Sequence, residues 1–433
     1  MILAIDLGST SFKAALFDET MTMRGEGSAY LPYRETGEHV TFEVEAAREC
    51  LASAILQSLD AAGSQASHTE AVVLTSQAQT FTACDEKDTA VLPFISWQDR
   101  RAAALARTAR TELPDFAYHS SFHEPLAGLL VCLLKALSRQ GVLHQNHEIL
   151  PLPACITRAL TGRTAIDANL AAMTGLYSLQ TDSWHAPFLI WAGIKAGQLP
   201  VVIPTGAPAG QTVENNPFDL PAGIPVVCAG NDQTAAGYAA GLEPDAMLVT
   251  LGTAQVVYQR VDGKPAARSG LVRGPFPGGG YYRMIADDYG GNLISRAIEQ
   301  LELAGGFGEF FRLAGAGLES GRIAATLHVR KGAISWEGAV SNEEKAAGVI
   351  DWLCARMAGA VDTLRADHKP VYLASGGGAR NAAWVRHLES KLGAGELPTR
   401  PADPVRGAAH MALSVPAVQR AAARSESGRP SAS

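Results

Sequence analysis

Residues 1–18, MILAIDLGSTSFKAALFD, and residues 246–259, AMLVTLGTAQVVYQ, share one design: an apolar strand, a small polar turn and a strand returning from it. The first turn is Gly8-Ser9-Thr10 and the second is Gly252-Thr253. One device used twice, about half a chain apart, predicts an α/β protein with two related lobes facing each other. Just ahead of the second copy, PVVCAGNDQTAAGYAAG (225–241) reads as a short buried strand that stops at Gly230 and gives way to an Ala/Gly-rich helix near Gln233. AVVLTSQAQTFTACDEKDTAVLPFISWQDRRAAALARTAR (71–110) supplies strands, a polar cluster and an Ala/Arg helix. GGNLISRAIEQLELA (290–304) opens an amphipathic helix on a glycine pair, and VYLASGGGARNAAWVRHLESKLG (371–393) repeats the strand, glycine turn, helix theme.

At 433 residues, 47% hydrophobic and 18% charged, the chain buries a large core and divides into domains. The expected division is 1–225, 226–420 and a disordered tail at 421–433, where RSESGRPSAS (424–433) lacks apolar anchors. A net charge of -7 gives no basic footprint for nucleic acid, so none is expected as a partner. Asp6 follows the start too closely for a signal stretch, and no run approaches the roughly 18 apolar residues of a membrane span. A cytoplasmic location with no membrane contact is expected. The 6 cysteines form no C-x-x-C pair and read as buried thiols.

Glycine amides beside Ser or Thr hydroxyls cradle phosphate when they sit in a tight turn, and both hairpin turns qualify. Each alone reads equally well as an ordinary polar turn. No G-x-x-x-x-G-K-[ST] stretch occurs, so a P-loop is excluded. Asp6 ends its strand just before the first turn, where a carboxylate holds hydrated magnesium near phosphates or caps the turn. Asp232, at a strand end and helix start, faces a ligand or serves as a helix N-cap. Gln77, Gln79, Trp97, Gln98, Asp99 and Arg100 crowd polar and aromatic groups together, as hydroxyl-rich ligands require. Trp97 reads otherwise as a core aromatic, and Asp99 with Arg100 as a solvated pair.

With both hairpins, Asp232 and SGGGARN (375–381) in this order, the chain resembles the FGGY carbohydrate kinases from its start to about residue 415. The resemblance implies a two-lobed, actin-like (ribonuclease H-like) α/β ATPase fold with a ligand cleft between the lobes. It implies ATP and Mg2+ as cofactors and a small sugar or polyol as substrate. DLGST resembles the family's first phosphate element, implying Asp6 at the metal and Gly8, Ser9, Thr10 and Lys13 at phosphate. GNDQTAAG resembles the catalytic segment, implying Asp232 as general base and metal neighbour, with Gln233 at the substrate. LGTA resembles the second phosphate turn, carrying Gly252 and Thr253. SGGGARN resembles the adenosine loop, carrying Gly376, Gly377, Gly378 and Asn381. SWQDRR resembles the family's W-x-D-x-R segment, placing Trp97 and Asp99 by the sugar alongside Gln77 and Gln79.

The departures are equally specific. TSQAQT (75–80) has Ala78 and Gln79 where glycerol kinases have Arg-Glu and xylulokinases Met-His. EPLAGLLVCLLK (124–135) has Gly128 and Val131 in place of a Lys and Trp pattern. Residues 325–360 are shortened, and the Arg-Ala-x-x-Glu-Gly helix is reduced to RMAGAV (356–361), which bears on oligomer contacts, a homodimer included. The expected reaction is ATP-dependent phosphorylation of a ketose such as a pentulose, with a linear polyol behind it. A sugar or nucleotide sensor without turnover and a sugar-independent ATPase are the rival classes.

Overall fold

Asp6 stands where an alternating strand would place one more apolar residue, and the surrounding sheet explains how it is held there. In the computed structural model, residues 1–416 and 418 are described, apart from 245, 324–325, 331–332, 339–340 and 365–369. The expected tail at 421–433 lies outside the described residues. The chain divides into two compact units, the first comprising Met1–Ala239, Asp262–Tyr282 and the stretch from Asp403, the second Ala240–Val261 and Arg283–Ala402.

In the first unit, β1 (Ile2–Leu7), β2 (Ser11–Phe17) and β3 (Met23–Tyr30) form an antiparallel meander, and α1 (Val44–Ala62) packs on it. β4 (Ala71–Ser76) lies parallel to β1. β5 (Pro208–Gln211) and β6 (Pro225–Asn231) complete a six-stranded sheet of order β5-β6-β4-β1-β2-β3. Leu3, Ile5, Leu7 and Phe12 share one core with Leu51 and Ile55 of α1, while Ile2, Ala4, Ala15 and Phe17 belong to another on the opposite face. The period of two therefore puts Asp6 on the face of Ile2 and Ala4. β6 runs parallel to β4, and α2 (Ala168–Ala172) packs near it. α3 (Asp232–Ala239) starts at the residue after β6 ends.

The second unit repeats the hairpin. β7 (Met247–Leu251) and β8 (Gln255–Val261) are antiparallel, and β9 (Tyr281–Asp287) lies beside β8. Helix α5 (Asn342–Leu364) packs on β8, α4 (Gly291–Gln300) and α6 (Ala382–Leu392) pack on α5, and β10 (Tyr372–Ser375) lies parallel to β7. α7 (Pro404–Leu413) belongs to the first unit, where Val405, Ala408 and Met411 cover Ile2, Ala4 and Phe17. It lies so close to α3 that a Cβ on Gly407 would stand 1.8 Å from the Ala235 carbonyl oxygen. These limits differ from a division at residue 225, because β6 pairs with β4, α3 packs on β6 and α7, and α7 packs on β1 and β2. The cysteines are free thiols, buried except for Cys50. No helix among the described residues is long and apolar enough to cross a membrane.

Candidate active site

The first unit carries one carboxylate near the end of β1 and another just past the end of β6, the two strands that flank β4. Asp6 is 6% exposed and its Oδ1 has no hydrogen-bond partner. Burial, then the charge of Asp232, pushes its carboxyl up to about 8, against the pull of Lys13 and with a further push from Asp403. Asp232 is half-buried, its Oδ1 accepts from the Gln233 N–H at 2.8 Å, and burial raises it to about 6. Asp232 therefore ionises first, and its charge then adds to the cost of ionising the deeper Asp6. Asp232 does not cap α3, because Asn231 Oδ1 accepts from the Thr234 N–H at 2.7 Å and fills that role.

Lys13 is the register partner of Asp6 across β1 and β2, with its side chain exposed. The Gly8-Ser9-Thr10 turn between those strands is tied to the neighbouring loop. The Gly8 carbonyl accepts from Gln77 Nε2 at 3.0 Å, and Thr80 Oγ1 donates to Gln77 Oε1 at 3.0 Å. Gln77 thus bridges the first turn and the TSQAQT segment. Gln79 takes a left-handed backbone (φ 65°) and donates from Nε2 to the Met173 carbonyl at 3.2 Å.

Asp99, expected beside a sugar, is 0% exposed and fully engaged by protein. It accepts from the Val40 N–H at 2.9 Å and from Arg101 through Nε at 2.8 Å and Nη2 at 2.7 Å. Its partner is thus Arg101 rather than Arg100, and the pair is buried rather than solvated. Trp97 is half-buried. Its carbonyl accounts for the glycine in EPLAGLL, since a Cβ on Gly128 would lie 2.0 Å from that oxygen.

The second unit holds the other turn and the glycine loop. Gly291 N–H donates to the Gly252 carbonyl at 2.8 Å and Asn292 N–H to that of Thr253 at 3.2 Å, so the start of α4 braces the Gly252-Thr253 turn. Ser375 at the end of β10 meets Thr250 of β7, hydroxyl to hydroxyl at 3.0 Å. Gly376 leads into the 3-10 turn Gly377–Arg380, which contains Gly377 and Gly378, and Asn381 Oδ1 then accepts from the Trp384 N–H at 3.0 Å, capping α6.

Residues 165–205 raise no functional expectation from sequence, yet there a polar network supports the Asp232 corner. Asp167 and Asn169 are buried beneath Gly230 and Asn231, with Thr205 bonded to Asp167. The available signal was the acid and amide of Asp167-Ala168-Asn169, breaking an apolar stretch between a strand and a helix.

The chain belongs to the FGGY family of carbohydrate kinases: residues 1–238 match that family's N-terminal domain. It is 29% identical over 293 residues to a glycerol kinase of Bordetella pertussis, an alignment covering 61% of this chain and 54% of the relative. It is 26% identical over 243 residues to an autoinducer-2 kinase of Klebsiella pneumoniae, covering 53% and 45%. The chain thus spans about half the length of the curated relatives it matches. The crystal structure of a xylulose kinase from Rhodospirillum rubrum shares the fold, with TM-score 0.85 at 19% identity over 95% of this chain and 89% of that one. The fold is thus the mixed α/β, two-domain fold of these kinases.

Proposed function

We propose that this protein transfers the γ-phosphoryl group of ATP to a hydroxyl of a small sugar or polyol, with a ketose such as a pentulose as the first candidate. The observation that carries this reading is the Asp6–Asp232 pair beside a Gly-Ser-Thr turn. A carboxyl raised to about 6 is largely ionised at neutral pH yet basic enough to take a proton from an attacking hydroxyl.

Asp232 is assigned as the general base. Asp6, Gly8, Ser9, Thr10 and Lys13 serve phosphate and its metal from the first unit. Gly252, Thr253, Gly376, Gly377, Gly378 and Asn381 are assigned to nucleotide. Magnesium fits the donors: Asp6 Oδ1 is buried without a partner, and Asp6 and Asp232 repel each other unless a cation or proton stands with them. Among the described residues no group of three or more His, Cys, Asp or Glu converges, which suits an ion held by one or two carboxylates plus water and phosphate. When bound, that ion would neutralise charge on the phosphate oxygens. The chain's own residues then position the hydroxyl and receive its proton.

For the acceptor, Trp97, Gln79, Gln233 and Asp232 are assigned as contacts. Gln77 and Asp99 act from behind them, their polar atoms holding the first turn and the 96–101 segment. The relatives are named for glycerol, autoinducer-2 and xylulose, all rich in hydroxyls, which supports the substrate class while leaving the member to experiment.

The test is ADP release with Mg-ATP across ketoses, aldoses and polyols, run beside Asp232→Asn. One compound should stimulate release, and the substitution should lower that turnover by roughly 10² to 10⁴-fold with nucleotide binding kept. A flat panel with ATP still bound would favour a sensor. Release equal with and without acceptor would favour an ATPase.

A further inference from the structure

Asp232 sits at a bend between β6 and α3, and a carboxylate at such a bend is only as well placed as the backbone on either side of it. Asn231 before it and Thr234 after it are both gripped by one side chain, that of Asn169, which is 0% exposed. Asn169 Oδ1 accepts from the Asn231 N–H at 3.0 Å, and Nδ2 donates to Thr234 Oγ1 at 3.0 Å and to the Pro275 carbonyl at 2.9 Å. A primary amide carries an acceptor and two donors on one plane, and here each is used. The amide is itself fixed from below: the Asn169 N–H donates to Asp167 Oδ1 at 3.0 Å and lies 3.1 Å from Thr205 Oγ1. The bend is held on its other side by Thr75, whose Oγ1 donates to the Gly230 carbonyl at 2.9 Å.

We infer that Asn169 is the positioning residue for Asp232, setting the direction of its carboxylate by fixing the residues on both sides. This rests on the reading of Asp232 as the base. Asn169 touches neither substrate nor nucleotide in this role. Its removal acts on turnover, because misplacing a reacting group by about 1 Å can cost on the order of 10²-fold while leaving binding largely unchanged.

The experiment compares Asn169→Ala, Asp232→Asn and the double variant with the acceptor that the panel identifies. Asn169→Ala should lower kcat roughly 10- to 100-fold, with KM for ATP and acceptor within about threefold of wild type. The double variant should be no slower than Asp232→Asn alone, since a group that acts only by aiming the base has nothing left to aim. Asn169→Asp places an isosteric carboxyl that donates to Pro275 only when protonated, so its turnover relative to wild type should climb as pH falls from about 8 to about 6. Multiplicative losses in the double variant, or a loss confined to KM, overturn the positioning role while leaving the base in place. Wild-type turnover in Asp232→Asn overturns the base, and the inference with it. Should Asn169→Ala not fold, Thr234→Val removes one of the three contacts and must show the same kcat loss and non-additivity on a smaller scale.

Discussion

Replacing Asp6 by asparagine should flatten the pH dependence of stability in the metal-free protein. An Asp6 carboxyl with its ordinary value of 3.8 in the unfolded chain and about 8 in the folded one holds its proton in the native state over the whole interval between. Across that interval the folded protein binds more protons than the unfolded one. Its stability is therefore complete below about pH 4 and is lost as pH rises through 8. Ionising this group in place costs on the order of 5 kcal/mol. About 4 kcal/mol of this falls between pH 5 and pH 8.5, so at roughly 2 to 4 °C per kcal/mol melting in EDTA should drop by about 8 to 16 °C across that range. Asp6→Asn removes most of that drop, leaving the smaller contribution of Asp232, whose carboxyl lies at about 6. Magnesium at pH 8.5 should raise the melting temperature of wild type well above any effect on the variant. An equal fall in both proteins between the two pH values would refute the assignment of the buried charge to Asp6.

Asp99→Ala leaves Arg101 buried without its carboxylate and should cost about 3–5 kcal/mol in stability. The acceptor KM of the folded fraction should stay within a factor of three; an unchanged melting temperature with a raised KM would instead put Asp99 at the sugar. Gly407→Val forces α7 away from α3 and should destabilise by about 3 kcal/mol or more, since the Ala235 carbonyl already occupies the space of a Cβ. Thermal melting within about 1 to 2 °C of wild type, an order of change expected of a surface substitution, would contradict that contact.

Both hairpins were legible because their signals are local: mostly apolar strands joined where Gly8 or Gly252 and a hydroxyl residue turn the chain. Asp232 was legible as a functional candidate for the same reason, although its alternative as an N-cap falls only to the fold, in which Asn231 caps α3. Asp99 shows the opposite case. Its sequence setting is the same whether it meets a sugar or a backbone amide, and the deciding N–H comes from Val40, far away in the chain. Asn169 was invisible for a similar reason, since its partners at 231, 234 and 275 are brought to it only by the folded sheet. The unit boundaries differ from those expected because α7 packs on β1 and β2 while α3 packs on α7, β6 and β4, non-local contacts that composition does not announce.

That return of α7 has a consequence for how the protein is made. β1 is made long before α7, yet the face bearing Ile2 and Ala4 is roofed by residues near 405–411. Until α7 emerges this face must wait uncovered, as synthesis proceeds at roughly 5–20 residues per second. Nascent chains stalled before residue 403 should accordingly present sticky strands to chaperones, and the native packing of β1 should appear only once synthesis has passed α7.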